Sequence, residues 1–268
     1  MTHVAYSTAL AGGVPLRVYQ PERPRGDALL WVHGGEFTGG DLDMPETDWV
    51  ARELARRGHL TVTVDYRLVT AALRFPAPSD DVLDAWAWLC NHAASLGAVG
   101  ATHLGGASAG GNLALGAALR IRDGDEAAHG SRLPASVVLA YPTLHAVQPA
   151  PSVELVELLR TLPEGERKPS DYSLQMYTRL IDGPIEDAPP AAVPGTAHPA
   201  GLPPVMIVAS EIDVLRPSAE GYDHLLTEHG IEHDYVVEPG TRHGHLNVPD
   251  TAAGLATLER IHEWLLKR

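Results

Sequence analysis

The chain has 268 residues, 44% of them hydrophobic, with 34 acidic against 20 basic side chains and a formal net charge of −14. That is enough apolar material for one large α/β domain, while the negative balance argues against a polyanionic partner and so against nucleic acid. No stretch reaches the roughly 18 consecutive apolar residues of a membrane span, and the amino-terminal MTHVAYSTAL lacks the basic-then-apolar pattern of a secretory signal. The single cysteine, Cys90, cannot close an intramolecular disulfide and fits a reducing cytoplasm, the expected location.

In chain order, strand and helix signals alternate. Val14 to Tyr19 has period two and reads as a strand, followed by a Pro/Arg/Gly turn over 20–26. Ala28 to Val32 is a continuous apolar run, the pattern of a strand buried on both faces. Next comes His33–Gly34–Gly35–Glu36–Phe37, then Thr38–Gly39–Gly40. So much glycine gives either a flexible connection or a rigid loop whose N–H groups point into a cavity; its place after a buried strand favours the rigid loop. A helix is expected near Trp49 to Arg57 and a β-branched strand over Leu60 to Asp65. From Asp80 to Leu96, Val82, Leu83, Trp86, Leu89 and Cys90 recur at helical spacing, with Ser79 as the expected cap and Asp80 and Asp81 in the first turn. Cys90 is read as a buried core thiol. Thr102 to Leu104 leads into GGASAGGNLA at 105–114 and a small-residue helix over Asn112 to Ile121. Further strands are expected at Ser136 to Tyr141, 205–209 and 233–237, and a last helix at Leu255 to Leu266.

Strands separated by helices imply right-handed crossovers and a mostly parallel central sheet flanked by helices, with ligands bound outside the carboxyl ends of the strands. The His33 loop, Ser108, Asp213 and His243 all fall just after expected strands. Thr143 to Pro204 breaks the alternation. It is rich in proline and carries two helical patterns, Val153 to Leu162 and Tyr172 to Ile181, so it reads as a cap-like insertion, 143–204, within one domain of residues 1–268.

Gly106–Ala107–Ser108–Ala109–Gly110 has the form G-x-S-x-G, which a serine on a sharp strand-to-helix turn requires. Alone, the pentapeptide is equally a glycine-rich turn that packs a helix closely on a strand. A serine hydroxyl needs a base, and the base needs a carboxylate to fix its tautomer. Glu211 and Asp213 both follow the strand VMIVA; Asp213 lies farther past it and is preferred, with Glu211 as the alternative. His243, in the Gly/Pro loop after the next strand, is the candidate base. The order Ser–Asp–His is that of α/β-hydrolases.

The sequence resembles the hormone-sensitive-lipase-like (bacterial family IV) esterases of the α/β-hydrolase superfamily. The matching pieces are HGGEF at 33–37, VDYRL at 64–68, FPAPSDDV at 75–82, GASAGGNLA at 106–114, SEIDVLRP at 210–217 and RHGH at 242–245. The resemblance implies the α/β-hydrolase fold with a small helical cap. It makes Ser108 the nucleophile, Asp213 the triad acid and His243 the base, with an oxyanion hole of amides at Gly34, Gly35 and Ala109. It implies a carboxylic ester hydrolase working through an acyl-enzyme on short-acyl or acetyl esters of small molecules, with no cofactor and no metal; homodimers are common in the family. Amide or lactone hydrolysis and acyl transfer would use the same residues, and a non-catalytic ligand-binding protein of this fold would keep the pocket. A metal site at His243 and His245 lacks a third ligand of convincing spacing.

Several positions depart from the family pattern. Glu36 stands at the usual third glycine, Ala107 replaces the acidic residue before the serine, VTAALRFP replaces a Pro–Glu motif after VDYRL, and His245 replaces an aromatic residue. Glu36, Phe37 and His245 are therefore candidate substrate-pocket residues, and Glu36 and His245 suggest a more polar substrate. The chain also enters its first strand without the family's amino-terminal cap helices, so the pocket is expected to be covered only by 143–204.

Overall fold

A computed structural model describes residues 4–268, so the first three residues of the segment read for a secretory signal lie outside the described residues. The eight-stranded sheet contains β1 (Tyr6–Ala11), β2 (Val14–Tyr19), β3 (Ala28–Val32), β4 (Leu60–Val64), β5 (Thr102–Ala107), β6 (Val137–Ala140), β7 (Val205–Ile212) and β8 (His233–Arg242), in the order β1-β2-β4-β3-β5-β6-β7-β8. β1 and β2 pair antiparallel, as do β2 and β4; every other neighbouring pair is parallel. The expected mostly parallel α/β-hydrolase sheet is therefore present. β1 carried no strand signal because most of its side chains face solvent and it has little apolar alternation.

Side-chain alternation on β3 divides the core. Leu29 and Trp31 face α1 (Pro45–Arg56) and α7 (Ala252–Leu265), where Val50, Leu54, Leu258 and Ile261 are fully buried. Leu30 and Val32 face α2 (Ala77–His92) and α3 (Ala109–Arg122), packing with Val82, Trp86 and Leu113. A third cluster joins Leu115 and Leu119 of α3 to Tyr222 and Leu226 of α6 (Arg216–Glu228), a helix that the sequence reading did not assign. No helix among the described residues is long and apolar enough to cross a membrane.

The α2 start corrects one expectation. The helix begins at Ala77, with Pro78 in its first turn, so Ser79 lies inside it; the Ser79 hydroxyl accepts a hydrogen bond from Arg120 instead of capping. Asp80 keeps its first-turn place, whereas Asp81 pairs with Arg67 at 2.8 Å. Cys90 is half-buried against the core, and burial pushes its thiol up.

Between β6 and β7, residues 143–204 form α4 (Val153–Arg160), α5 (Tyr172–Leu180) and several single 3-10 turns. α5 buries Met176, Tyr177 and Leu180 in the core that contains Phe37. The return segment runs so close to α3 that a Cβ at Gly116 would lie 2.2 Å from the Ala191 carbonyl oxygen.

Candidate active site

At the carboxyl end of β5 the chain turns sharply into α3. Ser108 takes φ 52° and ψ −117°, a conformation that costs a non-glycine residue about 1–3 kcal/mol and persists only when its surroundings impose it. The flanking glycines explain how. A Cβ at Gly106 would sit 2.5 Å from Gly110, and one at Gly110 would sit 2.1 Å from the Val32 carbonyl oxygen. The turn therefore packs backbone on backbone between β3 and α3, and the G-x-S-x-G spacing is a steric requirement of this fold.

The carboxyl ends of β5, β7 and β8 meet at this turn. Ser108 Oγ lies 2.9 Å from His243 Nε2, and His243 Nδ1 lies 2.7 Å from Asp213 Oδ2. Asp213 is only 2% exposed, and its other oxygen accepts the Leu215 amide at 2.9 Å, which fixes the carboxylate plane. Burial alone would lower the His243 pKa, but the charge of Asp213, its hydrogen bond and the charge of Glu46 outweigh that and hold it above the ordinary histidine value. Glu211, the alternative acid, points elsewhere: its carboxylate accepts the Gly240 amide at 2.8 Å and braces the end of β8.

The loop after β3 differs from the sequence expectation at one residue. The Gly34 amide is already donated to Glu46 Oε1 at 2.8 Å, so it is not free to bind an oxyanion. Among the described residues, no acceptor engages the amides of Gly35 or Glu36, or that of Ala109, whose place in the first turn of α3 leaves it without an intrahelical partner. Gly35, Glu36 and Phe37 have φ of 111°, 56° and 64°, a continuous left-handed stretch that curls the loop back on itself. His33 supports the curl from below, stacked on Tyr66 at 4.2 Å, while the Tyr66 hydroxyl donates to the His33 carbonyl at 3.1 Å.

A cavity of about 700 Å³ opens over the serine, lined by Gly35, Glu36, Ser108, Asp213 and His243 from the sheet end and by Val156, Leu159 and Tyr172 from 143–204. Of the three expected pocket residues, only Glu36 reaches it. Its carboxylate accepts from the Tyr172 hydroxyl at 2.6 Å and faces Arg179 at 3.4 Å and Lys168 at 3.9 Å, all on 143–204. Phe37 does not line the cavity; it is fully buried, edge-on to Tyr177, because the left-handed turn sends its ring into the core. His245 is likewise buried beneath the loop, with Nδ1 2.9 Å from Ser210 and Nε2 2.9 Å from Thr257, and burial pushes it down to about 4. Both its ring nitrogens are thus occupied, which leaves none to share a metal with His243. Four residues near the site carry no site signal in the sequence: Glu46, Tyr141, Tyr172 and Asn247. None has a motif around it, and only their long-range contacts mark them.

Comparison with known proteins agrees with this fold. Residues 29–247 match a family model described as alpha/beta hydrolase fold. The carboxylesterase NlhH of Mycobacterium tuberculosis is 34% identical over 263 residues, covering 92% of this chain and 78% of the relative. The ethyl acetate hydrolase of Pseudomonas putida is 32% identical over 239 residues, covering 86% and 70%. The solved esterase of Pyrobaculum calidifontis superposes with a TM-score of 0.80 at 32% identity, covering 97% of this chain and 83% of that one. This chain belongs to the hormone-sensitive-lipase-like esterases of the α/β-hydrolase superfamily.

Proposed function

We propose that the protein hydrolyses short-acyl or acetyl esters of small molecules through an acyl-enzyme on Ser108. The observation that carries this reading is the Ser108–His243–Asp213 chain of 2.9 and 2.7 Å at the floor of the cavity. Ser108 Oγ attacks the acyl carbon as His243 Nε2 takes its proton. The imidazolium, held by Asp213, then protonates the leaving alkoxide, and the acyl group stays on Ser108. Water gives a proton to His243 and attacks the ester carbon; the acid leaves and Ser108 recovers its proton. The amides of Gly35, Glu36 and Ala109 are the donors for the oxyanion, each such donor being worth about 3 kcal/mol of transition-state stabilisation. Residues 143–204 act as the cap over the acyl group, joined to the oxyanion loop through Glu36.

The test is a pre-steady-state assay with p-nitrophenyl acetate and butyrate. A burst of p-nitrophenol with a matching acyl mass on the protein, both absent in Ser108→Ala, is the expected outcome. Turnover without any adduct, or retained by Ser108→Ala, would defeat the acyl-enzyme reading.

A further inference from the structure

Among the described residues, Glu46 is the one buried carboxylate besides Asp213 that lines the cavity, at 2% exposure, and the reaction above does not use it. It sits in the first turn of α1, where the helix dipole favours negative charge. Three donors from three different segments converge on it. Oε1 accepts the Gly34 amide at 2.8 Å; Oε2 accepts the Tyr141 hydroxyl at 2.9 Å and the Asn247 side-chain amide at 2.9 Å. Its main-chain carbonyl also accepts Trp31 Nε1 at 2.8 Å. Gly34 belongs to the oxyanion loop, Tyr141 directly follows β6, and Asn247 lies four residues after His243. The Tyr141 ring in turn stands edge-on to His243 at 5.2 Å.

We infer that Glu46 is a positioning residue for the proposed hydrolysis, clamping the oxyanion loop and the His243 loop in register around Ser108 and supplying a second negative charge to the imidazolium. The clamp works because its oxygens only accept. Gly34 N–H is fixed toward α1, which turns the following amides of Gly35 and Glu36 out toward the cavity, and Asn247 is drawn to the same anchor. Among the described residues the Glu46 carboxylate has three hydrogen-bond donors and no ion-pair partner, and its charge acts on the His243 ring. The charged and titratable groups facing His243 are Asp213 after β7, Glu46 in α1, Tyr141 after β6, His245 on its own loop and Lys168 before α5. Two acids therefore face one cation at that ring.

This inference rests on the acyl-enzyme reading, and Glu46→Gln separates the two. The isosteric amide keeps the volume, removes the charge and turns one acceptor into a donor that opposes Asn247. The expected result is a kcat lower on the order of tenfold with KM little changed, since the oxyanion donors that the variant misplaces act only in the transition state. With it, the acid limb of the kcat profile moves to lower pH by about half a unit, because one of two charges stabilising the imidazolium is gone. A lower kcat with an unmoved limb would reduce Glu46 to a structural brace and overturn the inference, as would unchanged kinetics. Should Glu46→Gln not fold, Asn247→Ala takes its place. It is expected to lower kcat severalfold at near-native Tm, and an unchanged kcat overturns the clamp. A wild type without a Ser108-dependent burst would remove the acyl-enzyme reading itself, a result visible before any Glu46 variant is made.

Discussion

Two Asp–His pairs stand at opposite ends of the same sheet. At the carboxyl end, Asp213 holds His243 at 2.7 Å and the far ring nitrogen faces Ser108. At the amino end, Asp27, just before β3, holds His59, just before β4, at 2.5 Å, and the far nitrogen of His59 faces His262 at 2.6 Å. The local chemistry of a carboxylate on Nδ1 is the same. His59 is fully buried, and its outer partner lies in the last turn of α7, at the negative end of a helix dipole. His243 is about a third exposed, borders a cavity, and faces a serine at the positive end of α3. An Asp–His pair is thus a brace wherever it is sealed. In the proposed hydrolysis it is a base where the sheet end also supplies a hydroxyl, free amides and room for a ligand.

Exchanging the acids is the largest test of that contrast. Asp213→Asn is expected to lower kcat on the order of 10⁴-fold with the fold intact, because His243 is left in the wrong tautomer. Asp27→Asn is expected to leave kcat/KM within about twofold while costing about 1–2 kcal/mol of stability, a fall of several degrees in Tm. Steady-state kinetics on one ester and a thermal melt of each variant decide it; a large activity loss in the Asp27 variant would erase the distinction.

With pH, His243 stands apart from the buried histidines at both ends of the sheet. At the amino end His103, bonded to Ser136 at 2.9 Å, is pushed down to about 4 by burial, and His262 is pushed down as well; His243 is held up. A histidine kept neutral when folded takes a proton near 6.5 when unfolded. Its contribution is therefore complete above pH 6.5 and is lost as pH falls toward 4, by up to about 3 kcal/mol for His103. His245 behaves in the same sense, whereas His243 contributes oppositely, favouring the fold below pH 6.5. Tm should accordingly decline between pH 6.5 and 4, and His103→Leu should make the decline shallower from a lower starting value. An unchanged slope in that variant would count against the amino-end origin of acid sensitivity.

The smallest expected effect lies between the site and 143–204. Glu36→Gly relieves a left-handed backbone that glycine adopts freely, but removes the contacts to Tyr172, Arg179 and Lys168. Stability should stay within about 1 kcal/mol as these partly exposed contacts and the strain offset each other, while KM for p-nitrophenyl butyrate rises about two- to fivefold. A KM that does not move would mean that the link between loop and insertion is idle.

The alternation of apolar runs and helical faces determined the parallel strands, because a strand buried on both faces has few other compositions open to it. The G-x-S-x-G turn was equally legible: its glycines are demanded because a Cβ at Gly106 or Gly110 would fall 2.1–2.5 Å from backbone atoms. Ser108, Asp213 and His243 could be picked out because each follows a strand, and parallel strands deliver their carboxyl ends to one place. What the tertiary structure alone decided is where neighbouring side chains point. Phe37 and His245 lie next to site residues in sequence but turn into the core, one through a left-handed backbone and one through partners on β7 and α7. Glu46 reads as an ordinary acidic residue in a first helical turn, and its partners Tyr141 and Asn247 are 95 and 201 residues away. Periodicity reports the face of an element, and a motif reports a local turn. Neither carries the long-range hydrogen bonds that commit the Gly34 amide to a carboxylate and leave the next ones free.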